Sequence, residues 1–382
     1  MRLRDLSLTG WLLALLLAFA TSTVFVTGAW AVQSFHIGVF LVFAITIMRS
    51  RRGTWPDIVV LAVLGLLVLW GILQLLAHQT GAPSDTREAI LHWGALAAVF
   101  LVARREGMDY SARHTFLGVF LAFSVLLGIL CLLQLFTSEG RILWLIDSGH
   151  PEIFGTFPSH NNYAQFVELA LPIALWQALA ARETAWGYAL AGGVLYASVI
   201  GSTSRAGAFL CSIEILLLLG LSFRHLRRSG VVLALVPAAA LVFTLVVGWD
   251  RLWVRFQQQD PYVVRREYME TAFHMIRDRP LLGFGLGAFP KVADAYAIKD
   301  FPFYANHVHN DWLEFGADGG IIFALAVLYL FASRIPAMFR HPWALGLLAV
   351  MLHACVDYPF PRPAVSGWMF MLLGLLYASE SE

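Results

Sequence analysis

The sequence predicts an all-α polytopic membrane protein with about twelve transmembrane helices. Three observations carry the prediction: few charges, apolar runs of bilayer length repeated from end to end, and arginines confined to alternate loops. Of the 382 residues, 59% are hydrophobic and 13% are charged, where a soluble domain carries about 25% charged residues. Crossing a bilayer takes about 20 apolar residues. The first such run is Leu6 to Thr27. Others start near Trp30, Ile58, Thr86, His114, Tyr163, Trp186, Ala206, Val231, Trp312, Trp343 and Ala364. The "AFA" at Ala18 to Ala20 has the small-residue look of a signal cleavage site, but a polytopic chain uses such a first helix as an uncleaved anchor.

Orientation follows from the basic residues, because positively charged loops stay in the cytoplasm. They cluster in "MRLR", in "RSRR" at Arg49 to Arg52, in Ala103 to Arg113, in "RHLRR" at Arg224 to Arg228 and in Ser333 to Arg340. With twelve spans all of these lie on one side, so both termini are expected in the cytoplasm. The opposing short loops carry only Arg87, Arg141, Arg205 and Arg362. The three cysteines, Cys131, Cys211 and Cys355, fall inside apolar spans and are expected as small core residues.

Two external segments exceed simple turns, and long ordered loops are usually functional. One runs from Thr137 to Asn161, the other from Gly248 to Asn310. The second holds eight Arg and Lys residues between Arg251 and Lys299. Long loops are exempt from the positive-inside rule, and such a loop also fits a cationic site for an anionic substrate. Tyr262, Arg265, Met269, Ala272, Phe273 and Ile276 share helical spacing, which predicts an amphipathic helix on the membrane surface, ended by Pro280. "GFGLGAF", from Gly283, partly matches a dinucleotide fingerprint. Without a surrounding βαβ unit it reads as a glycine-rich turn.

In "NHVHNDWLEFGADGGIIF", Asn306 to Phe323, Asp311 and Glu314 resemble a capping box, so a span is expected to start there with His309 just before it. The positive end of a helix dipole favours neutral imidazole and attracts phosphate. A neutral histidine beside an anion site is a candidate general base. The same position equally suits an interfacial histidine that only caps the helix. His307, His309 and Asp311 also have part of the spacing of a zinc ligand set, but no other external histidine cluster completes it.

These residues resemble the O-antigen ligase and Wzy-type polymerase family. The signature is "HNDWLEFGADGG", His309 to Gly320, with "GTFPSHNNYAQFVELALPIAL" from Gly155, "TSRAG" from Thr203, "RREYMETAFHMIRDRPLLGFGLGAF" from Arg265 and "HACVDYPFPRPA" from His353. The similarity covers about 155–376 of what is read as one integral membrane domain (1–382), with 249–310 as its large loop.

The resemblance implies a GT-C-like enzyme of the bacterial inner membrane, active at the periplasmic face. It would move a glycan from undecaprenyl diphosphate to an acceptor hydroxyl, inverting the anomeric centre, with no metal or other cofactor. The acceptor is lipid A core in a ligase, or a second lipid-linked unit in a polymerase of O-antigen, capsule or exopolysaccharide. Membrane lipids are further expected partners and nucleic acid is not. His309 would take the acceptor proton, with Arg205 and Arg265 gripping the diphosphate. Arginine suits that role as a bidentate donor that keeps its proton. Arg205 also fits a snorkelling interfacial residue, and Arg266 competes with Arg265 for the diphosphate.

His307 is placed as a neighbouring or acceptor-side group, beside Asn310 of the motif pair. His160, Asn161 and Asn162 either line the donor pocket or merely start a helix. Asp357 either pairs with a site arginine or is a solvated loop acid. The reading from a different class is a transporter of lipid-linked or anionic sugar. Transporters, however, place charges near mid-membrane and repeat their halves.

Overall fold

The computed structural model describes residues 6–49, 56–147, 153–181, 184–222, 263–297 and 305–381, with a few isolated positions between 238 and 257. Among the described residues the chain is helical, with one two-stranded hairpin, β1 Arg141–Ile142 and β2 Ile146–Asp147, in the first long external segment. The N-terminal helices are α1 Leu8–Ser22, α2 Ala29–Met48, α3 Ile58–Leu76, α4 Pro83–Gly107 and α5 Tyr110–Thr137. They are followed by α6 His160–Ala180, α7 Ala185–Ser202, α8 Arg205–Ser222, α9 Val263–Asp278 and the short α10 Phe289–Val292. The chain closes with α11 Asp311–Ala332, α12 Ile335–Arg340, α13 Leu345–His353 and α14 Pro363–Ser379.

Eleven of the twelve expected starts fall within four residues of a helix start. The twelfth, at Val231, lies outside the described residues, as do "MRLR", "RHLRR" and Tyr262. Side-chain caps place several of these starts: Ser7 accepts from Gly10 N at 3.2 Å, Asp57 from Val60 N at 2.9 Å and Asp109 from Ala112 N at 2.9 Å. By length and composition, five helices among the described residues can cross a membrane: α2, α3, α4, α5 and the stretch Asp311–Arg340. Leu8–Ser22, Pro342–His353 and Pro363–Ser379 are shorter apolar helices. The protein is thus a helical membrane protein.

The core is built around α6, in which every residue from His160 to Leu175 is buried. A helix enclosed by protein on all sides can carry polar groups that lipid would exclude. That accounts for Asn161, Asn162, Gln165 and Glu168 within an otherwise apolar helix. Next to it α4 packs on α14 through aromatic edges, Trp93 on Phe370 at 6.2 Å and Phe100 on Tyr377 at 5.1 Å. Basic residues gather where α2, α4, α11 and α14 end. Arg105 donates to Thr46 O and, at 2.9 Å, to Arg49 O. Arg104 reaches Ser381 at 3.4 Å, and Arg334 lies over Tyr377 at 3.8 Å.

Three expectations need correction. The buried face of α9 is Tyr268, Thr271, Ala272 and Met275, while Phe273 is 52% exposed. On that face the helix packs with Phe284, Phe289 and Val308 in a small second core, so that Ala272, Met269 and Ile276 of the expected set turn to this core and Phe273 does not. Cys355 is exposed and follows the end of α13, whereas Cys131 and Cys211 are buried. Finally, the cap of α11 is Asn310, whose side chain accepts from Leu313 N at 3.1 Å. Glu314 reaches back to Val308 N at 2.8 Å, so the box is shifted from the Asp311 start expected.

Helix α11 is broken at Gly320, where φ is 74°. The break frees the carbonyls of the turn before it, and a buried carbonyl needs a donor. The glycine-rich segment after α9 supplies two, Phe284 N to Ala317 O at 3.0 Å and Gly285 N to Asp318 O at 2.9 Å. Trp70 Nε1 donates to Gly319 O at 2.6 Å and Gln74 Nε2 to Asp318 O at 2.8 Å. The approach admits no side chain on either partner. A Cβ on Gly283 would sit 2.4 Å from Asp318 O, and one on Gly320 would sit 2.1 Å from Leu281 O. The "GFGLGAF" segment is thus a turn that docks on a broken helix.

Candidate functional site

The site assembles where the start of α6, the α7–α8 junction, the start of α9, the segment before α11 and the segment after α13 converge. At its centre is Asp357, whose side chain is 1% exposed. Oδ1 accepts from Tyr358 N at 2.9 Å and faces His309 Nδ1 at 3.4 Å. Oδ2 accepts from Asn161 Nδ2 and faces Arg265 Nη2 at 3.8 Å. Arg265 Nη1 also donates to Val356 O at 2.8 Å, which fixes the guanidinium over the loop. Burial alone would raise the Asp357 carboxyl, yet the contact with His309 and the Arg265 guanidinium hold it well below the usual carboxylate range. An acid with no solvent that still ionises requires such partners.

His309 has φ of 57°, the left-handed region that costs a non-glycine residue energy. That conformation swings its ring back from α11 toward Asp357. The 3.4 Å approach is an ion-pair distance that lacks the alignment of a hydrogen bond. A carboxylate at Nδ1 favours the tautomer with its proton there and leaves the lone pair on Nε2, across the ring. Tyr268 lies parallel to the imidazole at 6.4 Å, and the Tyr358 ring meets it edge-on at 4.8 Å. The side chain remains 26% exposed, enough for a substrate to reach.

The other expected residues occupy distinct places. Arg266 is exposed, one residue around α9 from Arg265. Arg205 opens α8, half-buried, directly after Ser204. Ser204 Oγ donates to Asn161 Oδ1 at 2.8 Å, which ties that junction to Asp357 through one side chain. Thr203, just before, takes a left-handed φ of 62° and turns the chain sharply between α7 and α8. Asn162 donates to Gln165 Oε1 at 2.8 Å and reaches Tyr358 O at 3.5 Å. His160 is buried in the first turn of α6. His307 points away from His309: its Nδ1 meets Glu314 Oε1 at 2.8 Å and its ring stacks on Tyr358 at 4.3 Å. Asn310 serves as the α11 cap.

Asp357 is thus a buried partner of the arginine and histidine, not a solvated loop acid. Tyr358, Tyr268 and Ser204 went unread in the sequence. Each adjoins a residue singled out or lies inside a quoted motif, and that adjacency was the available signal. Among the described residues no three His, Cys, Asp or Glu side chains are grouped to hold a metal ion. Chemically, the site offers a basic imidazole, an ionised acid that orients it and a guanidinium beside both. That set suits proton removal next to an anionic leaving group.

The O-Antigen ligase family model matches residues 188–329. The matched segment carries Arg205, Arg265, Arg266, His307, His309 and Asn310 and ends within α11. His160, Asn161, Asn162 and Asp357 lie outside it. No curated protein matches the chain.

Proposed function

We propose, for a chain whose residues 188–329 match the O-antigen ligase family model, that the His309 site transfers a glycan from undecaprenyl diphosphate to an acceptor hydroxyl. That match supports a ligase or polymerase type of glycosyl transfer on lipid-linked glycans. The particular donor, acceptor, face and residues are our reading. One observation supports it best: His309 and Arg265 share a single buried carboxylate.

In this reading the acceptor hydroxyl oxygen attacks the anomeric carbon from the face opposite the diphosphate. The bond from that carbon to the diphosphate oxygen breaks with its electron pair, which inverts the centre and releases undecaprenyl diphosphate. The acceptor proton passes to His309 Nε2, and Asp357 stabilises the resulting imidazolium. Arg265 and Arg205 bind the diphosphate and offset its growing charge, work that a metal ion does in other transferases. The basic end at Arg49, Arg104 and Arg105 would be cytoplasmic and the His309 end periplasmic. With the segment outside the described residues, the chain would make about twelve spans in a GT-C-like arrangement.

The test uses protein purified in detergent with a chelator, a short undecaprenyl-diphosphate oligosaccharide, and lipid A core or a second lipid-linked unit as acceptor. Wild type should transfer to one acceptor, which separates ligase from polymerase. His309→Ala, Arg205→Ala and Arg265→Ala should each fail while remaining folded. Full activity in His309→Ala would remove the base assignment. A second reading, movement of lipid-linked sugar, draws on the break in α11, a feature that transporters use at their sites. Flux of labelled lipid-linked sugar in liposomes without any transfer would favour it.

A further inference from the structure

Beside the His309 site, and separate from it, a cavity of about 310 Å³ opens between α2, α4 and α11. Its polar lining comprises His36, His92, His307, Glu88, Glu314 and Asp318. Two of these are more than nine-tenths buried and have an atom without a hydrogen-bond partner among the described residues, His36 Nε2 and Asp318 Oδ1. Several of the other polar lining atoms are engaged. Asp318 Oδ2 accepts from Gly287 N at 2.9 Å, His92 Nε2 meets Phe360 O at 2.8 Å, and Glu314 holds His307 and Val308 N. A buried polar atom left unmatched is costly, so this pair marks a place built for a hydrogen-bonding occupant.

The lining also states what that occupant is. Among the described lining residues there is no lysine or arginine, and three acidic side chains face the space, so the lining offers no cation to pair with an anion. An acyl chain would leave His36 and Asp318 unsatisfied. No three of the described ligand-type side chains are grouped for a metal ion. A ring rich in hydroxyls, each a donor and an acceptor, satisfies both the Asp318 carboxyl and the imidazole, while Trp93, Phe315 and Phe360 supply apolar walls for its C–H faces. The cavity also adjoins the base. The His307 ring lines it and stacks on Tyr358 at 4.3 Å, and Tyr358 meets His309 at 4.8 Å.

We propose that this cavity binds a neutral glycosyl ring of the acceptor and so holds the acceptor beside His309. The proposal rests on the glycosyl-transfer reading above and assigns opposite chemistries to the two substrates. The anionic donor lies on the arginine side of Tyr358, and the neutral acceptor lies on the carboxylate side.

Binding is measured without donor, so that it does not depend on transfer. Two lipid-free probes, the oligosaccharide released from lipid A core and a short neutral oligosaccharide repeat, are titrated against purified full-length protein by saturation-transfer NMR. Wild type should bind one of them. Asp318→Asn and His36→Gln should each weaken that binding about tenfold, the loss of one hydrogen bond to a charged or buried group. Val32→Trp, at a lining position that is 40% exposed, should block the cavity without altering any charge. It covers the event that the buried variants do not fold. Arg265→Ala, on the donor side, should bind as wild type does. Binding of neither probe, wild-type affinity in Val32→Trp, loss of binding in Arg265→Ala, or a requirement for a divalent cation would each overturn the proposal. If the probe binds as expected but wild type transfers no glycan, the transfer reading fails and the sugar site stands.

Discussion

Asp357 and Asp318 are both buried carboxylates at the same end of the helix bundle, 1% and 4% exposed, yet they are satisfied in opposite ways. Asp357 meets His309, Arg265, Asn161 and a backbone N–H, so the protein itself uses its acceptor capacity. Asp318 meets Gly287 N with one oxygen and has no described partner for the other. An acid whose partners are all internal orients machinery, and one with a spare oxygen at a cavity wall is ready for a ligand. The Tyr358 ring, with His307 on one face and His309 at its edge, separates the two.

The largest effect expected is from Asp357→Ala. It releases His309 and Arg265 together, and transfer should fall about 10²–10⁴-fold, the range for losing a positioned acid–base group. Breaking a buried pair also costs about 3–5 kcal/mol, so the thermal midpoint should drop in the same preparation. Single-turnover transfer and thermal denaturation check both, and near-wild-type transfer would erase the contrast between the two acids.

Next come Arg265→Ala and Arg266→Ala. Loss of Arg265 should cost about 10²–10³ in kcat, as removal of a donor to a developing anion does. Loss of exposed Arg266 should change stability by no more than about 0.5 kcal/mol and leave transfer nearly intact. Equal losses would mean that the helix phase does not select between them.

Smaller still is Asp318→Asn. At saturating acceptor its kcat should match wild type, while the acceptor KM rises about tenfold and the donor KM stays unchanged. A fall in kcat alone would place Asp318 with Asp357 and dissolve the distinction.

The smallest effect is in pH. Because the folded-state pKa of Asp357 is depressed, its stabilisation is present above the unfolded value of about 3.9. It is lost only as pH falls through the folded value. The difference in thermal midpoint between wild type and Asp357→Asn should therefore be flat from about pH 5 to about pH 8 and close below about pH 4. A gap that closes near neutrality would assign the titration to another group.

Much of the architecture was legible because its causes are local. Apolar runs, capping residues and arginine clusters act over a turn or a loop, and the starts near Ile58, Trp186 and Ala206 match α3, α7 and α8 closely. His309 and Arg265 were legible from the types of residue in two motifs. Less so was the phase of α9: its apolar residues permit two faces, and the choice depends on Phe284 and Val308 from elsewhere. Likewise "GG" at Gly319–Gly320 signals a weak point in a helix, but nothing local says that the 281–287 segment will occupy the gap.

The sequence by itself therefore determined a helical membrane protein, the positions of most helices and the segments rich in chemistry. Burial of apolar surface and completion of backbone hydrogen bonds depend on neighbours close along the chain. Only the tertiary structure decided that Asp357 would lie against His309 and Arg265, that Arg266 would face outward, and that Asp318 would keep an oxygen for the cavity. Those outcomes are set by which distant groups meet in a low-dielectric interior. There a charge or donor must find its partner through space, whatever its distance along the chain.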